Sequence, residues 1–189
     1  MLSFVSGILV GFSLGLIGGG GSILAIPLLI YFVGYDHPHI AIGTTALAVG
    51  INAFLNLIPH TRAGHVNYRI GAMFSLTGIA GVIIGYFGIG GGFLIVPALM
   101  LSSGLEIINA IGTSLISVGT FGIVTTLTYA VSGKIDLLIS AFFILGGIGG
   151  GWLGARKASS LPTKTLTQLF SVIIAIVAFY MLYMNFHSI

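Results

Sequence analysis

The chain has 189 residues, of which 57% are hydrophobic and 5% charged, with a formal net charge of +3 and no cysteine. A soluble domain carries about a quarter charged residues, so a water-soluble fold is excluded, and the missing cysteines exclude disulfides, thiolate metal sites and thiol relays. The 6 basic residues are scattered over several loops and make no phosphate-tracking surface, so no nucleic-acid partner is expected.

The apolar runs are continuous, without the dyad alternation of a β-barrel, which predicts an all-α polytopic protein of the inner membrane with the lipid bilayer as its surroundings. In chain order, residues 3–17 and 22–33 each fall short of the ~20 apolar residues that a spanning helix needs. Gly18, Gly19, Gly20 and Gly21 lie between them, and Pro27 follows. Residues 40–59 are long enough to cross, ending at Pro59-His60, and 68–85 are barely so. Residues 86–103 repeat the short, glycine-interrupted pattern. Residues 110–131, 135–155 and 165–186 all suffice.

Two offsets reveal an internal duplication. Shifted by 70, Gly18, Gly20, Gly21 and Pro27 fall on Gly88, Gly90, Gly91 and Pro97; shifted by 69, "AIGTTAL" (41–47) falls on "AIGTSLI" (110–116). Gly64 then falls on Gly133, and Gly78, Gly81 and Gly85 on Gly147, Gly150 and Gly154. The chain therefore reads as two homologous repeats, 1–85 and 86–189. The first lacks its last helix and the second its first half-helix, so roughly 45 residues are absent at a seam near 85–88, judged by the length of the repeat itself.

Lys and Arg favour cytoplasmic loops. Arg62 and Arg69 mark one loop of the first repeat, and Arg156, Lys157 and Lys164 a different loop of the second. Both loops are cytoplasmic only if the repeats are inverted, which needs an odd number of crossings in each. Each repeat is accordingly expected to open with a glycine-broken, re-entrant helix.

Broken backbone survives at membrane depth only inside protein or beside an aqueous cavity. A residue before proline avoids the α region, so Ile26 and Val96 are expected to be extended, with unwound stretches at 18–26 and 88–96. Pro27 and Pro97 then suit the first turn of a short helix whose bare N–H groups make an anion site without a charged side chain. Gly18, Gly19, Gly20, Gly21 and Ser22, with Gly90, Gly91 and Gly92 in the second repeat, are the candidate substrate-binding backbone. Thr44, Thr45, Thr113 and Ser114 supply hydroxyls near helix starts, and Asn52 lies one turn from Asn56 on one helix face. Bonding back to i−4 carbonyls or between helices is the alternative for these side chains. The glycines at 78, 81 and 85 and at 147, 150, 151 and 154 read as close-packing positions. His60, Arg62 and His65 read as a solvated loop. No metal site or cofactor is expected, because His37, His39, His60 and His65 lack a converging third ligand. Nor does any ionisable residue lie deep in a helix.

The duplicated "GIGGGFLIVPALML…AIGTSL" resembles the TauE/SafE-type sulfite exporter family over essentially the whole chain. The first copy departs from it, with Gly19 in place of the isoleucine and Ser22 in place of the last glycine. The resemblance implies a carrier for sulfite or a related organosulfur anion, driven by an ion gradient; alternating access, with one repeat rocking against the other, is expected from the duplication. The other readings are a permease for another cargo such as a transition-metal ion, or a non-transporting scaffold. An enzyme is not expected, since no nucleophile–base pair is visible.

Overall fold

A computed structural model describes residues 1–35, 37–83 and 92–187. Its helices are α1 (Leu2–Ile17), α2 (Ala25–Pro27), α3 (Pro38–Arg62), α4 (Tyr68–Ile83), α5 (Gly92–Ser103), α6 (Ile107–Val131), α7 (Leu137–Ser160) and α8 (Thr163–His187). Gly18–Leu24, ahead of α2, is wound as a 3₁₀ helix, and Leu28–Phe32, after it, as a π-helix. Helices dominate because each satisfies its own backbone where lipid supplies no partners. Among the described residues, Leu2–Phe32, Pro38–Arg62, Ile107–Val131 and Leu137–Ser160 are long and apolar enough to cross a membrane.

Leu2–Phe32 is not one straight rod. Gly21 packs on the backbone of Ser13 and Leu14, which a continuous helix would hold more than a full turn away. The reversal falls at Ile17–Gly18, where Gly18 takes φ 61° and ψ −135°, a left-handed conformation that leaves no room for a Cβ. The returning limb ends beside the start of α7, where Tyr35 Oη donates to Asp136 Oδ2 at 3.4 Å.

Glycine faces set the helix directions. Gly7, Gly11 and Gly15 of α1 lie on the backbone of Phe143, Gly147 and Gly151 of α7, while Gly146, Gly150 and Gly154 lie on the carbonyls of Phe4, Ile8 and Phe12. The register advances equally on both helices, so α1 and α7 are parallel and touch backbone to backbone. In lipid, where apolar side chains gain nothing by leaving water, such van der Waals contact drives association. Gly50 of α3 meets Gly122 of α6, and Gly119 of α6 meets the Phe54 ring, so α3 and α6 are antiparallel. Ser140, Gly147 and Gly151 of α7 meet Thr44, Asn52 and Asn56 of α3, a parallel pairing that carries exposed Arg156 and Lys157 to the same end as Arg62.

The two tight connections share one chemistry. Gly64 (φ 76°) and Gly133 (φ 63°) turn the chain after α3 and α6. Behind them, His65 N–H donates to the His60 carbonyl at 2.9 Å and Lys134 N–H to the Tyr129 carbonyl at 3.0 Å. Asn67 Oδ1 then accepts from Ile70 N–H (3.1 Å) and Asp136 Oδ1 from Ile139 N–H (3.0 Å), capping α4 and α7. Replacing Asp136 with alanine removes the α7 cap and the Tyr35 contact, and is expected to cost about 0.5–2 kcal/mol, read as a lowered Tm in detergent.

Three expectations are corrected. Ile26 lies in α2 and Val96 in α5, so neither is extended. The stretch 18–26 is helical rather than unwound, as is 92–96, because 3₁₀ and α pairing satisfies backbone groups that an extended segment would leave open. Pro27 ends α2 and Pro97 lies inside α5, so neither opens a helix. Below Pro27 the π winding shifts the bonding register, with Val33 N–H on the Leu28 carbonyl at 3.0 Å. Finally, α3 runs through Pro59 to Arg62, since a proline near the end of a helix removes only one bond. The seam near 85–88, with Gly85, Gly88, Gly90 and Gly91, lies outside the described residues.

Candidate functional site

The chain reversal after α1 defines the site. Gly18 N–H donates to the Leu14 carbonyl and closes the helix. In an uninterrupted helix the next N–H, that of Gly19, would bond the Gly15 carbonyl. Here the two groups part. Gly19 N–H donates to Ser114 Oγ of α6 at 2.9 Å, and the Gly15 carbonyl accepts from His60 Nε2 of α3 at 2.8 Å. One backbone hydrogen bond is thus replaced by two side-chain bonds from two different helices, so the break leaves no orphan at this point. Because a carbonyl only accepts, His60 carries its proton on Nε2.

The neighbouring glycines are all buried. A Cβ on Gly18 would overlap Ser114 Oγ and the Ile111 carbonyl, and one on Gly20 would meet the Phe170 ring of α8. Ser22 Oγ donates to the Gly19 carbonyl at 2.7 Å, and the Ser114 hydroxyl donates to the Ile111 carbonyl at 2.7 Å. The four candidate hydroxyls therefore divide. Ser114 is at the reversal itself. Thr44 Oγ1 accepts from Asp136 N–H at 2.9 Å and Thr113 Oγ1 from Asn67 N–H at 3.0 Å, fastening the starts of α7 and α4. Thr45 bonds back to the Ala41 carbonyl at 2.7 Å. Gly92 opens α5; its partners Gly90 and Gly91 are outside the described residues.

The Asn52 amide, fully buried, lies on the Gly147 backbone and donates to the Phe143 carbonyl at 3.4 Å. Asn56 lies in the same way on Gly151. His60 corrects the loop assignment: it belongs to the last turn of α3 and is fully buried, because the helix outlasts Pro59 and its face turns inward against α1. An ionisable residue does therefore lie deep in the fold. Its signal in the sequence is the spacing Asn52, Asn56, His60, which places three polar side chains on one helix face. Among the described residues no three His, Asp or Glu side chains converge as metal ligands, and Asp36 falls outside them.

These crossing helices, packed through glycine and holding a chain reversal between side chains of two others, define a multi-pass membrane protein. The profile of the sulfite exporter TauE/SafE family matches residues 3–87 and 73–181, and the chain belongs to that family. It is a membrane transporter rather than an enzyme. A "Probable membrane transporter protein" of Xylella fastidiosa (strain 9a5c) is 40% identical over 247 aligned residues, covering 97% of this chain and 95% of that protein. The "Probable membrane transporter protein YunE" of Bacillus subtilis (strain 168) is 26% identical over 122 residues, covering 65% of this chain and 45% of that protein. No solved structure matches.

Proposed function

We propose that the protein carries a small oxyanion, sulfite or a related organosulfur anion, bound at the reversal between α1 and the Gly18–Phe32 limb. The observation that carries this reading is the bond from Gly19 N–H to Ser114 Oγ. The serine oxygen holds the position where an oxyanion oxygen would accept from the same N–H. Rotation of Ser114 frees that N–H and turns its hydroxyl toward the anion. The helical limb that starts at Gly18 adds the positive end of its dipole, and four buried glycines keep side chains out of the way.

Alternating access is proposed through two repeats of opposite orientation. Several contacts recur at an offset of 69 residues, which supports this reading: Thr44 with Asp136 beside Thr113 with Asn67, and the turns at Gly64 and Gly133. The antiparallel crossing of α3 and α6 has the same sense. Re-entry of 2–35 from one membrane face is supported by its reversal and by the Tyr35–Asp136 contact. In this arrangement the ends of α3 and α7 that carry Arg62 and Arg156–Lys157 lie together on the cytoplasmic side. The seam near 85–88, between repeats 1–85 and 86–189, is proposed on two grounds. The family profile matches in two stretches that meet at 73–87, and the 247 aligned residues exceed the 189 of this chain, so the Xylella relative holds residues with no counterpart here.

The test is thermal stabilisation of the purified protein by sulfite, sulfonates, sulfate and Ni²⁺. Oxyanions are expected to raise Tm and Ni²⁺ to leave it unchanged; stabilisation by Ni²⁺ alone would overturn the anion reading. Gly20→Leu, whose side chain displaces the Phe170 ring edge at the reversal, is expected to abolish the sulfite effect while the protein stays folded.

A further inference from the structure

Five polar atoms near the reversal are buried without a partner among the described residues: Asn52 Oδ1, Asn56 Oδ1 and Nδ2, His60 Nδ1 and His65 Nδ1. Three of these side chains, Asn52, Asn56 and His60, share one face of α3 and are fully buried. Buried polar groups cost about 1–3 kcal/mol when unsatisfied, so such a row is not a packing default. The second half of the chain shows what packing alone accepts. At an offset of 69, Asn52, Asn56 and His60 correspond to Phe121, Thr125 and Tyr129. Gly78 of α4 receives the Phe121 ring, as Gly147 of α7 receives the Asn52 amide. An aromatic ring fills one such position and an amide with an open oxygen the other.

We infer that this face of α3 is a hydrated proton-binding site, with His60 Nδ1 the group that takes up and releases the proton accompanying the anion. The inference rests on the oxyanion-carrier reading. His60 Nε2–H is committed to the Gly15 carbonyl, so the lone pair on Nδ1 is the basic position. The amides of Asn56 and Asn52, one and two turns away, offer donors and acceptors for a short file of water leading to it. Among the described residues no other charged side chain is buried against it; Arg62, two residues on in α3, is exposed. α1 contains no titratable side chain and gives His60 only a carbonyl; α6 gives Gly112. The turn after α3 gives His65, with ring centroids 6.0 Å apart. The basic residues of α7, Arg156 and Lys157, and Glu106 before α6 are exposed.

The proton balance is simple. Nδ1 gains one proton on one side of the membrane and loses it on the other, with no covalent step. Protonation makes the Nε2–H bond to Gly15 charge-assisted, roughly doubling its strength, and places a positive charge beside the reversal when the anion is bound. Proton and anion thereby favour the same state.

The test uses the full chain in proteoliposomes with labelled sulfite. His60→Gln keeps an N–H able to reach the Gly15 carbonyl but cannot take up a proton. Because its bond to Gly15 is part of the reversal, it is expected to slow sulfite–sulfite exchange across the membrane without abolishing it, while accumulation driven by a pH gradient falls to that of protein-free vesicles. Asn56→Leu, which interrupts the water file without touching His60, is expected to give the same split. Accumulation that persists in either variant would overturn the inference, as would a folded His60→Gln protein that loses exchange along with accumulation. Should His60→Gln not fold, the Asn56→Leu result decides. A wild-type protein that exchanges sulfite without any response to a pH gradient overturns the proton site alone. One that exchanges no sulfite at all overturns the carrier reading and the proton site with it.

Discussion

Ser114→Ala is expected to lower the stability of the anion-free protein by about 1–3 kcal/mol, the cost of leaving a buried N–H without its acceptor. The donor is Gly19 N–H, and the wild-type distance to Ser114 Oγ is 2.9 Å. The Gly15 carbonyl, its partner in an uninterrupted helix, is held by His60 at 2.8 Å. Thermal unfolding in detergent reads the loss directly. Sulfite is expected to recover part of it, because an oxyanion oxygen supplies the acceptor that alanine lacks. A Ser114→Ala protein that melts as the wild type would show that the bond contributes nothing. One that melts lower but gains nothing from sulfite would make the serine a structural pin only. Ser114→Thr keeps the hydroxyl and is expected to preserve transport.

Gly11→Ala is expected to prevent assembly of the helix core. Its Cβ would overlap the Gly147 carbonyl, and backbone cannot move aside as a side-chain tip can. The two helices must therefore separate, which also opens the contacts of Gly7 with Phe143 and of Gly15 with Gly151. The cost exceeds the about 1–3 kcal/mol typical of overpacking, since a whole interface shifts rather than one rotamer. Gly149→Ala on α7, the helix that Gly11 packs against, is the control: nothing lies within 4 Å of its Cβ, and its stability is expected to hold or to rise by up to about 1 kcal/mol from helix propensity. Size-exclusion profiles of the two proteins, expressed side by side, separate the outcomes. A monodisperse Gly11→Ala protein with wild-type Tm would refute backbone contact at this level.

Much of the helix inventory was legible in the sequence. The runs at 110–131 and 135–155 became Ile107–Val131 and Leu137–Ser160, because lipid admits few alternatives to a helix for a long apolar stretch. The packing role of Gly147, Gly150 and Gly154 was legible too, as spacing places them on one stripe. Local rules failed at the prolines. The pre-proline preference of Ile26 and Val96 is worth less than the hydrogen bonds that helical winding keeps, so the chain changed pitch instead of opening. His60 was misplaced for the same reason, since Pro59 suggested an end to α3 that the structure delays until Arg62.

Composition and spacing by themselves determined that this is a multi-pass helical membrane protein, with glycines marking both close packing and a break after residue 17. These are properties of hydropathy and short-range periodicity, and each is complete within some twenty residues. Only the tertiary structure decided that Ser114 takes the N–H of Gly19, that His60 takes the carbonyl of Gly15, and that the amides of Asn52 and Asn56 lie on glycines of α7. Such pairings join residues far apart in the chain and depend on the direction and register of whole helices. A shift of one residue along an α-helix turns a side chain through about 100°, so the spacing along one helix cannot say which partner its polar face will meet.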